Sequence, residues 1–179
     1  KVTLATGYTN SNENYIVRIH GARRVAFKHM RIQNISTNSY SRVVLLDFGA
    51  HVVDFDHCSL ISGPTASSAT SVIYAYNSQN GYHEPDSLTL ANCIISGGYY
   101  SLYHRGRNAR ATGLKVDSCR IFQSYYMGAH IYYEQNASFT NNLVRFRAAP
   151  HGSAYGLYIY DIHEGKVTGN QLLGNKVRY

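Results

Sequence analysis

Apolar positions recur in columns along this chain, at a period of roughly 28 residues. When Cys58, Cys93 and Cys119 are placed in one anchor column, the other coils supply Met30, Asn142 and Asn170. Two residues later stand Ile32, Leu60, Ile95, Ile121, Val144 and Leu172. Three residues before the anchor stand Phe27, Phe55, Leu90, Val116, Phe139 and Val167. Five before it stand Val25, Val53, Leu88, Leu114, Ala137 and Gly165. The positions between are mostly polar: Lys28, Asp56, Ala91, Asp117, Thr140 and Thr168. A period of two predicts a strand with one face inside that turns a corner at the anchor.

A second strand precedes the first in every repeat. Val17, Val44, Ile73, Leu102, Ala129 and Leu157 form one inward column, and Ile19, Leu46, Ala75, His104, Ile131 and Ile159 form the next. One such unit cannot bury its apolar face alone, whereas coils stacked in parallel bury a continuous core. A leucine-rich repeat needs a shorter period, and a sandwich does not keep one inward column through every strand. The expectation is therefore a single all-β domain over residues 1–179, a right-handed parallel β-helix (solenoid) of about six coils.

The inward columns and the stacked anchors, as in FTNNLV (139–144) and VTGNQLL (167–173), resemble the right-handed parallel β-helix proteins of the pectate-lyase-like superfamily. The resemblance runs from about Val2 to Asn175. It implies the fold and leaves the activity open, because that fold hosts lyases, hydrolases, epimerases, tailspikes and inert stalks. Val2 and Leu4 read as the closing strand of a preceding coil. No amphipathic helix caps either end, so the chain is expected to be an excerpt of a longer protein or a unit that stacks end to end with its copies.

Composition narrows the partners. The chain has 17 Tyr, no Trp, 3 Pro and a formal net charge of +7, which favours polyanions. The charges are scattered without a Lys/Arg run, so no nucleic-acid partner is expected. No stretch of 18 apolar residues occurs, so no membrane insertion is expected. The odd count of 3 Cys argues against a disulfide framework, and in-register parallel side chains point the same way, so the thiols are expected free and buried. Neither HExxH nor CxxC spacing appears, so no metal or other cofactor is expected. Asn34 and Asn136 each begin a glycosylation sequon.

Candidate chemistry lies on the outward positions of that preceding strand, between and after Val17 and Ile19 and their counterparts. One column reads Arg18, Leu45, Tyr74, Tyr103, His130 and Tyr158, and the next His20, Asp47, Tyr76, Arg105, Tyr132 and Tyr160. Tyr offers a flat apolar body with a hydroxyl, suited to sugar rings. The planar fork of Arg suits a carboxylate or sulfate. Tyr ladders also stabilise parallel sheets without any ligand. Two long connections, residues 77–87 and 106–113, are expected to project beside this face and add His83, Glu84, Arg107 and Arg110. Carboxylates here, namely Asp47, Glu84, Glu134 and Asp161, fall in separate coils, and no paired-acid hydrolase motif or acidic calcium cluster is seen. In an enzyme reading, Tyr103 or His130 acts as base and Arg105 stabilises an enolate. The functional expectation is an extracellular or cell-surface module whose Tyr/His/Arg face contacts carbohydrate, acidic polysaccharide included, or serves adhesion. The alternatives are a polysaccharide lyase or related uronan-acting enzyme, and a structural stalk or fibre subunit.

Overall fold

In the computed structural model the chain is a parallel β-solenoid of about six coils, with no helix among the described residues. These are residues 2–6, 14–35, 39–77, 83–107 and 109–174. Each coil contributes to three sheets. Sheet 1 comprises Tyr15–His20, Arg42–Asp47, Ser71–Tyr76, Tyr100–Arg105, Met127–Gln135 and Tyr155–His163, with the short strand Ala111–Thr112 at its margin. Sheet 2 holds the six strands that lead to the anchors, from Arg23–Lys28 to Lys166–Thr168. Sheet 3 holds the seven that include or follow them, from Val2–Thr6 to Gln171–Leu173. Every pairing is parallel and the inward columns meet in the expected register; Phe27 pairs with Phe55, and Val116 with Phe139.

The inward columns form the core. Phe55, Leu90, Val116, Leu60, Ile95, Ile121, Val44, Ile73 and Leu102 are all fully buried. Each large apolar side chain contributes about 1.5–3 kcal/mol through burial. In the last coil Ile159 and Val167 are 38% and 48% exposed, because no described strand covers their outer side. The three Cys are free and buried. Each thiol points at the carbonyl three positions before the anchor of the preceding coil: Cys58 at Phe27, Cys93 at Phe55 and Cys119 at Leu90. Asn142 and Asn170 donate to the same carbonyl column, at Val116 and Phe139. Cys and Asn therefore share one column because both can donate into it. Burial pushes the Cys58 thiol up in pKa, and the Cys119 contact with burial does the same to Cys93.

Corners are set by left-handed residues in two columns. The position before the anchor has positive φ in all six coils (His29, His57, Asn92, Ser118, Asn141 and Gly169), and so has the position six before it. Such conformations are uncommon outside Gly, and their repetition shows that stacking fixes the bend.

Candidate functional site

The outward columns of sheet 1 stand side by side as the alternation requires. Tyr74 stacks on Tyr103 with centroids 4.9 Å apart and planes 9° apart, and Tyr132 on Tyr160 at 4.9 Å and 10°. These are ladder contacts that the strand spacing imposes. The ladder breaks at two residues. His130 stands edge-on to Tyr103 and Tyr158, at 89° and 85°. The Arg105 guanidinium lies between two rings, 5.2 Å from the centre of Tyr76 and 4.8 Å from that of Tyr132. Cation–π contacts on both faces fix the guanidinium plane and leave its N–H edges for a partner. One edge approaches the Tyr103 hydroxyl at 3.4 Å, a contact that raises the Arg105 pKa.

Where the ladder breaks, a groove of about 500 Å³ opens, lined by Tyr100, Arg105, Tyr126, Met127, His130, Tyr132, Tyr155 and Tyr158. Burial, with the charge of Arg105, lowers the His130 pKa to about 4, so its imidazole is neutral near pH 7. Burial beside Tyr99 raises the Tyr100 phenol to about 12. Buried Nε of Arg105 and Nδ1 of His130 find no hydrogen-bond partner among the described residues. No carboxylate pairs with Arg105 there either, and none lines the groove.

Of the expected site residues, Arg105, His130, Tyr132 and Tyr158 line this groove. Tyr74, Tyr76, Tyr103 and Tyr160 flank it through ring contacts. His83, Glu84 and Arg107 do not line it. Residues 78–82 and 108 of the two long connections lie outside the described residues. His83 is turned to the preceding coil, where a Cβ on Gly49 would come within 3.0 Å of its own Cβ, and Glu84 is buried. Arg110 pairs with Asp161 and lies over Tyr133. Glu134, expected on the face, is inside: the left-handed residue Tyr133 turns the chain, and Glu134 is fully buried. Its carboxylate sits 3.2 Å from Nδ1 of the equally buried His104 and accepts the Leu114 N–H. Asp47 is taken up by Arg18 and His20.

The columns missed Tyr100, Tyr126 and Tyr155. Sheet 1 opens with two consecutive inward residues, Ser101 with Leu102 and Gly128 with Ala129, all buried. Tyr100 and, two coils on in the same column, Tyr155 thereby face outward, where strict alternation sends them in. Arg42, from the same column, lies 3.9 Å over the Tyr74 ring.

As chemistry, the groove can stack apolar ring faces and donate to an anion. His130 is poorly equipped for proton abstraction, because a base works best with its pKa near the operating pH and this imidazole is held far below. Among the described residues no group of three or more His, Cys, Asp or Glu side chains is placed to hold a metal ion. The sequence matches no family model, and neither the curated proteins nor the solved structures compared with it gave a match.

Proposed function

We propose that this chain is an extracellular β-solenoid module of the pectate-lyase-like kind, whose sheet 1 groove binds carbohydrate, with acidic polysaccharide as the preferred ligand. The observation that supports the reading is the pair of buried, unpartnered nitrogens on Arg105 and His130 among five Tyr rings. Buried polar groups are ordinarily hydrogen-bonded, so these two mark a polar deficit at the floor of the groove, and a ligand's anionic group would meet the remaining N–H groups of Arg105, which lines it.

The test is calorimetric titration with acidic and neutral oligosaccharides. Arg105→Ala should weaken acidic ligands about tenfold or more, since hydrogen bonds to charged groups contribute about 1.5–3 kcal/mol. Tyr132→Ala and Tyr158→Ala should weaken acidic and neutral ligands alike through lost stacking. Added salt should weaken the acidic ligands only. Lys28→Ala and Lys115→Ala, on sheet 2, are controls for bulk charge. Equal losses in these controls would reduce the attraction to net charge, and absence of any binding would leave the stalk reading in its place.

A further inference from the structure

A second groove, of about 810 Å³, lies on the outward side of sheet 3, lined by Ser96, Phe122, Gln123, Arg145, Phe146 and Arg147 among others. It forms where the strand Arg120–Ser124 bulges. Phe122 pairs with Arg145 and Ser124 with Phe146, leaving Gln123 unpaired at φ 60°. An extra residue of this kind bends its strand and re-aims side chains. Arg145 is exposed and makes no ion pair among the described residues. Neither outward column of sheet 3, one and three residues after the anchors, contains an Asp or Glu.

The two grooves are joined around the corner between sheets 3 and 1. Arg147 donates to the Thr65 and Ala149 carbonyls and lies 4.0 Å over the Tyr125 ring. Tyr125 meets His151 at 5.7 Å, His151 meets Tyr126 at 4.9 Å, and Tyr126 meets Tyr155 at 6.2 Å. Tyr126 and Tyr155 already line the first groove. This series of rings contains no acid and zigzags between two adjacent coils as it turns the corner from sheet 3 to sheet 1. The Tyr74–Tyr103 and Tyr132–Tyr160 stacks, by contrast, run along the axis of the solenoid.

We infer that the ligand is an extended acidic polysaccharide, carboxylated or sulfated, that lies across the solenoid and bends from sheet 3 onto sheet 1. One anionic group sits at Arg145, another at Arg105, and uncharged sugar faces pass over the aromatic corner. This rests on the binding reading above. The path from Phe122 to His130 covers eight residues, at most about 26 Å at ~3.3 Å per residue. A ligand that follows the surface between both cations therefore spans no more than this, and the oligomer length at which it first does so is what the experiment reads.

The experiment is a length series, from dimer to decamer, of oligouronates and of sulfated oligosaccharides. Each is titrated into the wild type, Arg105→Ala, Arg145→Ala and the double variant at one low salt concentration, with thermal melts as a check on folding. In at least one series, wild-type affinity should rise about tenfold or more once a chain spans both grooves, because the second contact becomes intramolecular. Arg145→Ala should remove that rise and leave short oligomers unaffected, whereas Arg105→Ala should weaken every length. The series that responds identifies the anion. If short oligomers bind through Arg105 but long ones gain nothing, or keep their gain in Arg145→Ala, the second groove is no part of the site and a single-groove module remains. If neither series binds, the inference and the binding reading both fall.

Discussion

The outer faces of sheets 1 and 2 are built on the same repeat and end in opposite states. On sheet 2 the acids beside the corner, Asp56 and Asp117, are satisfied by neighbours. Asp56 accepts from His57 and Asn92, at 2.7 Å and 3.3 Å, and Asp117 accepts from Asn141 and Ser118, each at 3.1 Å, and from Thr140. These bonds hold both carboxyls below the ordinary Asp range. On sheet 1 the polar groups near the centre are left open. Arg105 is clamped by rings rather than by a carboxylate, and the buried Nδ1 of His130 has no partner. A face whose donors and acceptors answer one another has little to gain from a ligand. A face with donors left over does, because an unanswered buried polar group costs about 1–3 kcal/mol.

The two faces share one core, and breaking it should have the largest effect. Phe139→Ala, at a fully buried position under sheet 2, should cost roughly 3–5 kcal/mol by denaturant unfolding, through lost burial and a residual cavity. Tyr158→Ala, half-buried on the outside of sheet 1, should cost well under half of that. Equal costs would mean that the two facings differ less than the burial pattern says.

A middle-sized effect separates the outer faces themselves. Asp117→Ala removes an acceptor shared by three side chains and should cost roughly 1 kcal/mol, because its bonds lie near solvent. Its folded pKa is depressed, so this contribution is present above the ordinary Asp range and lost as pH falls through the folded value. Arg105→Ala removes no ion pair found here, only its ring contacts, and should cost no more than about 1–2 kcal/mol while weakening ligand binding. A large stability loss at Arg105 together with none at Asp117 would reverse the comparison.

How much of this was legible in the sequence follows from where register partners exist. Inward columns such as Phe27, Phe55, Leu90, Val116 and Phe139 were readable, because each residue is constrained by those above and below it. Arg105 and His130 followed from the same alternation. Tyr100 and Tyr155 did not, because the buried neighbours Ser101 and Leu102 break the alternation at the start of the strand. Glu134 was misplaced by the left-handed turn at Tyr133, since a single positive φ reverses the side of the next residue and no composition signal marks a Tyr for that role. His83 and Glu84 belong to a connection with no counterpart in adjacent coils, so no column constrained them.

A smaller, pH-dependent effect belongs to sheet 1. The folded pKa of His130 is lowered from 6.5 to about 4, so between these values the unfolded chain takes up a proton that the folded one refuses. Its contribution to stability should therefore fall as pH drops from 6.5 to about 4 and level off below. In His130→Gln this fall should be absent across that window, measured by urea unfolding at a series of pH values. An unchanged pH profile would show that the imidazole is not desolvated in the groove.

The smallest expected effect joins that titration to the ligand. Burial is the larger cause of the low His130 pKa, and the positive charge of Arg105 is the second. An anion bound to Arg105 offsets the second cause and leaves the first, so ligand should raise the His130 pKa by a few tenths to about one unit. The imidazole resonance followed by NMR with and without a saturating sulfated oligosaccharide reads this directly, since a sulfate stays ionised through the range. Linkage fixes the reciprocal sign: protonation then favours binding, so affinity should rise as pH falls through the His130 titration. A neutral oligosaccharide, which leaves the Arg105 charge in place, should not produce the rise. An unmoved or lowered pKa with bound anion would place that anion away from Arg105, and the open face of sheet 1 would then owe its ligand to the rings alone.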